Sequence, residues 1–290
     1  MAMNSILFPT DFSEAAENAQ TVALSLARQL GARLHFLHSL NTVQQYVDMS
    51  LTSTGDPTMP GMEPELVIKA MNEQRLNAES ALKKLVVEAN EDSIEAEFHI
   101  VNENLEVAIN KVVDDLSVGL IVMGTRGASG FREAFIGSNA QRVVRKCSVP
   151  VLTVNRACKE FNVNKVVYAS DYLENEINDQ IPRVAAFANS FKAQLHLIYI
   201  NTMAYFEESS DTLKRIEKIK EQYEIEDAEV FIYNDYDIDD GILHYSDMVN
   251  ADLIAIVTHG FSGLKKIVSD NVAESVVNHS SIPVLTLHIH

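Results

Sequence analysis

At 290 residues the chain has room for one large or two ordinary domains, and 47% hydrophobic with 22% charged residues describes a folded core rather than a disordered segment. A formal net charge of −18 excludes non-specific binding to nucleic acid or anionic membrane. The apolar runs are too short to span a bilayer, and no basic stretch precedes an apolar one at the start, so a cytoplasmic location is expected. The first element is a strand, Ser5–Pro9, ending in Thr10 and Asp11. A helix over Ala15–Leu30 follows Ser13 and carries an apolar stripe at Val22, Leu26 and Leu30. A strand at Arg33–His38 leads into Asn41–Pro64, a stretch rich in Gly, Pro, Ser and Thr with Met49, Met59 and Met62, which reads either as a lid-like insertion or as a solvated loop. Then come a helix (Glu65–Ala89), a strand (Glu95–Val101), a helix (Glu106–Leu116), a strand (Leu120–Gly124), a helix (Asn139–Lys146) and a strand (Val149–Val154). Strands alternating with helices, the strands being near-continuously apolar, imply a parallel, doubly wound α/β sheet.

The chain then repeats this unit. Ser5-Ile6-Leu7-Phe8-Pro9-Thr10-Asp11 matches Lys165-Val166-Val167-Tyr168-Ala169-Ser170-Asp171, Arg33–His38 matches Gln194–Tyr199, and Pro150-Val151-Leu152-Thr153 recurs as Pro283-Val284-Leu285-Thr286. The offset falls from about 160 to 133, so the second unit lacks nearly thirty residues after its second strand, the length of the Asn41–Pro64 insertion. The polar run Asn155–Asn164 is the natural connector. The part up to residue 155 holds 12 basic and 19 acidic residues, net −7, and the remainder is net −11.

Gly124, Gly127, Gly137 and Ser138 bound a loop between the fourth strand and the next helix. Such glycines serve either a tight turn or a backbone cradle for an anion at a helix N-terminus. Asp11, Ser39 and this loop all fall at carboxyl ends of strands, where doubly wound sheets bind ligands, and that convergence favours the cradle. A polyphosphate would be repelled by the acidic chain as a whole, so the positive charge must be local; Arg126 and Arg132 can supply it.

Other clusters have bland readings. Cys147 and Cys158 lack partners at metal-ligand spacing, suit a reducing compartment and read as structural or incidental. His35 and His38 point to opposite faces of their strand and are expected to pack or hydrogen-bond rather than bind metal. His288 and His290 share a face if extended, yet end the chain and could be tag remnants. Asp235, Asp237, Asp239 and Asp240 lack the Gly and Glu offsets of a calcium loop and read as a solvated turn.

Pro9-Thr10-Asp11-Phe12-Ser13, the spacing Gly124-xx-Gly127-x9-Gly137-Ser138 and Ser148-Val149-Pro150-Val151-Leu152 together resemble a tandem universal stress protein, two domains of the adenine nucleotide alpha hydrolase-like superfamily in one chain. The resemblance implies a domain over 1–155 with an intact nucleotide motif and a degenerate one over 162–290. Each would be a five-stranded parallel sheet of order 3-2-1-4-5 flanked by helices, the two packed as a pseudo-symmetric pair through Val149–Val154 and Ile282–His288. It also implies ATP, ADP or AMP as ligand, with or without Mg²⁺. Thr10 and Asp11 would lie at the adenine and ribose end, Ser39 would offer backbone groups to adenine, and Met123 and Gly124 would flank the ribose. Arg126, Gly127, Gly137, Ser138 and Asn139 would surround the phosphates; Asn139 departs from the more usual apolar residue, which a backbone contact tolerates. The second unit keeps Gly260 for Gly127 but has Val257 for Gly124, Asp270 for Gly137 and Asn271 for Ser138. A carboxylate at a phosphate position is unfavourable by ~1–4 kcal/mol. The second unit is therefore expected to have lost polyphosphate binding, while Asp171 and Ser262-Gly263 leave a smaller or uncharged ligand open. The implied function is nucleotide-dependent regulation in a stress response, with unidentified protein partners, at most weak hydrolysis and a homodimer allowed. The alternatives are a slow Mg-dependent ATPase and a nucleotide-independent scaffold.

Overall fold

The computed structural model describes residues 3–40, 64–125, 138–155, 161–173, 178–258 and 270–289. In chain order the first half contains β1 (Ser5–Pro9), α1 (Glu14–Leu30), β2 (Arg33–Ser39), α2 (Pro64–Glu91), β3 (Ala96–Val101), α3 (Leu105–Leu116), β4 (Leu120–Gly124), α4 (Ser138–Lys146) and β5 (Val151–Val154). The second contains β6 (Lys165–Ala169), α5 (Ile181–Ser190), β7 (Gln194–Asn201), α6 (Ser209–Gln222), β8 (Glu229–Asn234), α7 (Ile238–Met248), β9 (Leu253–Thr258), α8 (Asp270–His279) and β10 (Val284–His288). The insertion expected at Asn41–Pro64 lies, up to residue 63, outside the described residues.

Helix α1 shows why these segments fold as they do. Ser13 caps it by accepting the Ala16 N–H, Glu14 and Glu17 sit in the first turn, and Gly31 ends it in the left-handed conformation at φ 62°. Its buried stripe, Ala19, Val22, Ala23 and Leu26, meets Ile6, Phe8, Leu34 and Phe36 on one face of the sheet. On the other face Leu7, Leu37 and Ile121 meet Ile109 and Val112 of α3 and Val143 of α4. Each half is a parallel sheet, β3-β2-β1-β4-β5 and β8-β7-β6-β9-β10, and the halves join into one ten-stranded sheet.

The join is an antiparallel pairing of β5 with β10 in which Leu152 faces Leu285. Around that point the contacts come in related pairs. The Thr153 hydroxyl donates to the Val284 carbonyl at 3.2 Å, and the Thr286 hydroxyl to the Val151 carbonyl at 3.1 Å. The Asn155 amide caps the Val277 carbonyl at 2.7 Å, and His288 Nε2 caps the Val144 carbonyl, the equivalent group of the other half. Both carbonyls belong to last turns of helices, where acceptors lack helical partners. Gln141 and Arg145 of α4 reach Glu274 of α8. His288 is thus a buried part of the fold rather than an appended tag; His290 lies outside the described residues. The pairing also closes two apolar strand edges that would otherwise invite association.

Two local expectations change. Strand β5 begins at Val151 rather than Val149, because the paired segment starts only after Pro150. The connector, read as polar, ends in buried Phe161 and Val163, and the Phe161 carbonyl accepts from Ser25 and Gln29 of α1, so its end is part of the core. Cys147 is fully buried, and burial pushes its thiol up to about 12, which suits a structural rather than a reactive sulfur; Cys158 lies outside the described residues. Among the described residues no helix is long and apolar enough to cross a membrane.

Candidate functional site

Strand β1 ends in a tight turn built by its own side chains. Thr10 Oγ1 accepts the Phe12 N–H at 3.1 Å and Asp11 Oδ1 accepts the Ser13 N–H at 3.0 Å. These two bonds hold Phe12 in the left-handed region at φ 60°. His38 Nδ1 donates to the Thr10 carbonyl at 2.8 Å and its ring lies over Phe12, centroids 4.7 Å apart, so His38 is a support of the turn. Asp11 is left exposed at the carboxyl end of the sheet.

Beyond it opens a cleft of about 300 Å³. Its floor is the ends of β1, β2 and β4, at the point where the strand order reverses, and its walls are the first turns of α1, α3 and α4. Thr10, Asp11, Ser39, Met123, Gly124 and Asn139 all line it. Ser138 opens α4, and Arg126, Gly127, Gly137 and Arg132 lie outside the described residues. Three helix N-termini bring their positive dipole ends to one place, which favours an anion.

Gly124 has a reason that its sequence context does not reveal. A Cβ at this position would lie 1.9 Å from the Ala15 carbonyl oxygen, because the first turn of α1 docks directly on the end of β4. The glycine therefore sets the close approach of α1 to the sheet, and through it the wall of the cleft.

Several lining residues escaped the sequence reading. Asn104, which accepts the Glu106 N–H at 3.1 Å and caps α3, and Leu105 stand beside Ser39. Asn before a periodic segment at the end of a third strand is a capping signal that could have marked it. Arg142 lies one turn into α4, three residues after Asn139 and so on the same side. It supplies the local positive charge that the sequence reading sought at Arg126 and Arg132.

The matching region of the second half is built differently. Register places Ile200 where Ser39 stands and Val257 where Gly124 stands, and both are buried. Ile200 is accommodated because α7 has Gly241 opposite it; a Cβ there would meet Ile200 Cγ2 at 2.5 Å. Ser275 replaces Arg142 and donates to Asp239 at 2.5 Å. Gly260, Ser262 and Gly263 lie outside the described residues, as do the side chains of Asp270 and Asn271.

The sequence model of the Universal stress protein family matches this chain twice, over residues 3–155 and 165–288. A universal stress protein of Synechocystis sp. is 24% identical across 98% of this chain and 99% of its own length. One from Thermus aquaticus is 31% identical over 51% of this chain and 96% of its own length. A crystal structure of a universal stress protein from Archaeoglobus fulgidus superposes with a TM-score of 0.75 at 21% identity, covering 99% of both chains.

Proposed function

The chain belongs to the universal stress protein family, as a tandem of two family domains, and on that premise we propose that it is an adenine-nucleotide-binding regulatory protein of the stress response whose ligand occupies the N-terminal cleft. The observation that carries this reading is the convergence of three helix N-termini and Arg142 on one cleft at the strand-order reversal, next to a complete glycine motif. Ser39 and Asn104 offer polar groups at the end suited to adenine, Asp11 can accept from a ribose hydroxyl, and Met123 gives an apolar floor. The glycines at 127 and 137, with Ser138 and Asn139, would take the phosphates, and Mg²⁺ would enter with a triphosphate, held largely by the phosphates and water.

The second half is proposed to be silent toward polyphosphates: Ile200 and Val257 occupy the positions of Ser39 and Gly124, and Asp270 places a carboxylate at the phosphate position. Binding rather than efficient hydrolysis is the favoured activity, because Asp11, the one carboxylate among the described lining residues, is assigned to the ribose end and not to the phosphates. Calorimetry of nucleotide-stripped protein with ATP and Mg²⁺ is expected to give about one site per chain. Two equal sites, or no binding below millimolar ATP, would overturn the assignment. Phosphate release in the same preparation distinguishes storage of nucleotide from slow turnover.

A further inference from the structure

Away from the cleft, the strand register brings together three metal-binding side chains that are far apart in sequence. In the β2–β3 pair, His35 lies beside Glu97 and Leu37 beside His99. Alternation puts His35, Glu97 and His99 on one face of the sheet, the face covered further in by α3. Strand β3 is the outermost strand of this end of the sheet. His35 is buried, while the Glu97 and His99 side chains are 48% and 27% exposed, so the group is anchored in the core and open to solvent on one side.

The three donor atoms form a small triangle. His35 Nδ1 is 2.9 Å from Glu97 Oε1 and 3.4 Å from His99 Nε2, and Glu97 Oε1 is 3.8 Å from His99 Nε2. A point about 2.0 Å from all three atoms, the length of a Zn–N or Zn–O bond, lies close to their plane; tetrahedral ligands on such bonds stand roughly 3.3 Å apart, so a short movement of the half-exposed Glu97 side chain away from His35 and toward His99 completes a tetrahedral set. Two imidazoles and a carboxylate are a donor set suited to a divalent first-row transition ion.

We propose that His35, Glu97 and His99 form a transition-metal site, with Zn²⁺ as its reference occupant, three protein ligands and a fourth position left to water. Such an ion clasps the edge strand β3 to β2.

The second half is an internal control. It keeps His196 and Glu229 at the positions of His35 and Glu97, but Phe231 stands in place of His99. There the His196 ring packs on Phe231, centroids 4.6 Å apart, and its Nδ1 meets the Tyr245 hydroxyl at 2.9 Å. Tyr245 corresponds to Val112 in the first half, so the hydroxyl that His196 meets has no counterpart at the matching position of α3. Glu229 instead accepts from Gln194.

The test uses the full chain, stripped with EDTA and dialysed against Zn²⁺, with bound metal counted by atomic absorption and Co²⁺ substituted as a spectroscopic probe. The parent is expected to bind one Zn²⁺ per chain more than His99→Phe, which copies the second half, and to show the visible bands of a tetrahedral Co²⁺ centre that His99→Phe lacks. Glu97→Gln changes an exposed carboxylate and is expected to weaken Zn²⁺ binding at least tenfold with an unaltered circular dichroism spectrum; it decides the matter if His99→Phe fails to fold. Because the count is a difference between variants, adventitious binding at the other histidines cancels. Equal Zn²⁺ affinity and equal Co²⁺ spectra in the parent and Glu97→Gln would overturn the proposal, as would a parent that takes up no Zn²⁺ at micromolar concentration.

Discussion

The two halves begin their sites with the same turn and finish them in opposite ways. Thr10-Asp11-Phe12 and Ser170-Asp171-Tyr172 both place an aromatic residue in the left-handed region, at φ 60° and 58°, by the same pair of side-chain-to-backbone bonds. In the first half the carboxylate is exposed to a cleft. In the second, Asp171 is buried, the Tyr172 hydroxyl is spent on the Tyr168 and Ile198 carbonyls, and Ile200 and Val257 bring branched side chains to the strand ends. The turn is thus a property of the scaffold, whereas the cleft depends on a few small residues beyond it. The second half keeps the fold while carrying bulkier, buried side chains at the strand ends where the first half has Ser39 and Gly124.

The largest effect is expected from importing Val257 into the first half. Gly124→Val must displace the Ala15 backbone rather than a flexible side-chain tip, so α1 shifts off the sheet. Nucleotide binding should fall below detection and unfolding free energy by roughly 2–4 kcal/mol, read by calorimetry and urea titration. Full ATP affinity in this variant would mean that the α1 wall has no part in the site.

Next is Ser39→Ile, which imports Ile200. Ser39 and Ala108 correspond to Ile200 and Gly241, so the single substitution should meet the Ala108 methyl and lower both stability and nucleotide affinity, the affinity by about tenfold or more. Adding Ala108→Gly should restore about 1 kcal/mol of the stability, measured as a double-mutant cycle, but not the affinity, because the isoleucine still fills the cleft. If stability and affinity recover together, the loss of binding came from distortion and not from occupancy.

Arg142→Ser, again the residue of the second half, should be milder. The side chain is exposed, so stability should change by less than about 0.5 kcal/mol. ATP affinity should drop about five- to tenfold, AMP affinity less, and the difference should shrink at high salt.

Much of this was legible in the sequence for physical reasons. Near-continuous apolar strands, the 133-residue offset at the unit's end and the placement of Asp11, Ser39 and Gly124 at strand ends follow from local patterning. Three things were not legible. The His35, Glu97 and His99 group depends on the register of β2 against β3, whose partners lie 62 residues or more apart along the chain, and no local period reports it. The demand on Gly124 comes from where α1 docks, which sequence places only as a following helix. Phe161 and Val163 were hidden in a polar run, because two apolar residues without a periodic neighbourhood carry no signal of burial.

The smallest effect concerns protons, and it sets two histidines of the second half against each other. His196 is held below its ordinary value of 6.5 chiefly by burial, with Lys165 adding to the shift and Glu229 opposing it. The unfolded chain then binds a proton at His196 more readily than the folded one, so the stability this residue confers is present above about pH 6.5 and is lost as pH falls. His244 is shifted the other way, raised chiefly by its hydrogen bond to Asp235 at 2.8 Å. Its contribution is fully present below the ordinary histidine value and disappears as pH rises through the folded one, and it is also lost in acid once Asp235, itself held low by His244, takes a proton. Urea unfolding between about pH 5 and pH 8 should therefore show a shallower loss of stability toward acid in His196→Phe than in the parent, and a steeper one in His244→Asn. The His196 variant will be less stable at every pH, since Tyr245 is buried and loses the partner of its hydroxyl, so the slope and not the level is the readout. Parallel curves for His196→Phe and the parent would mean that the buried imidazole binds its proton equally well in both states and that its burial has no consequence for acid stability.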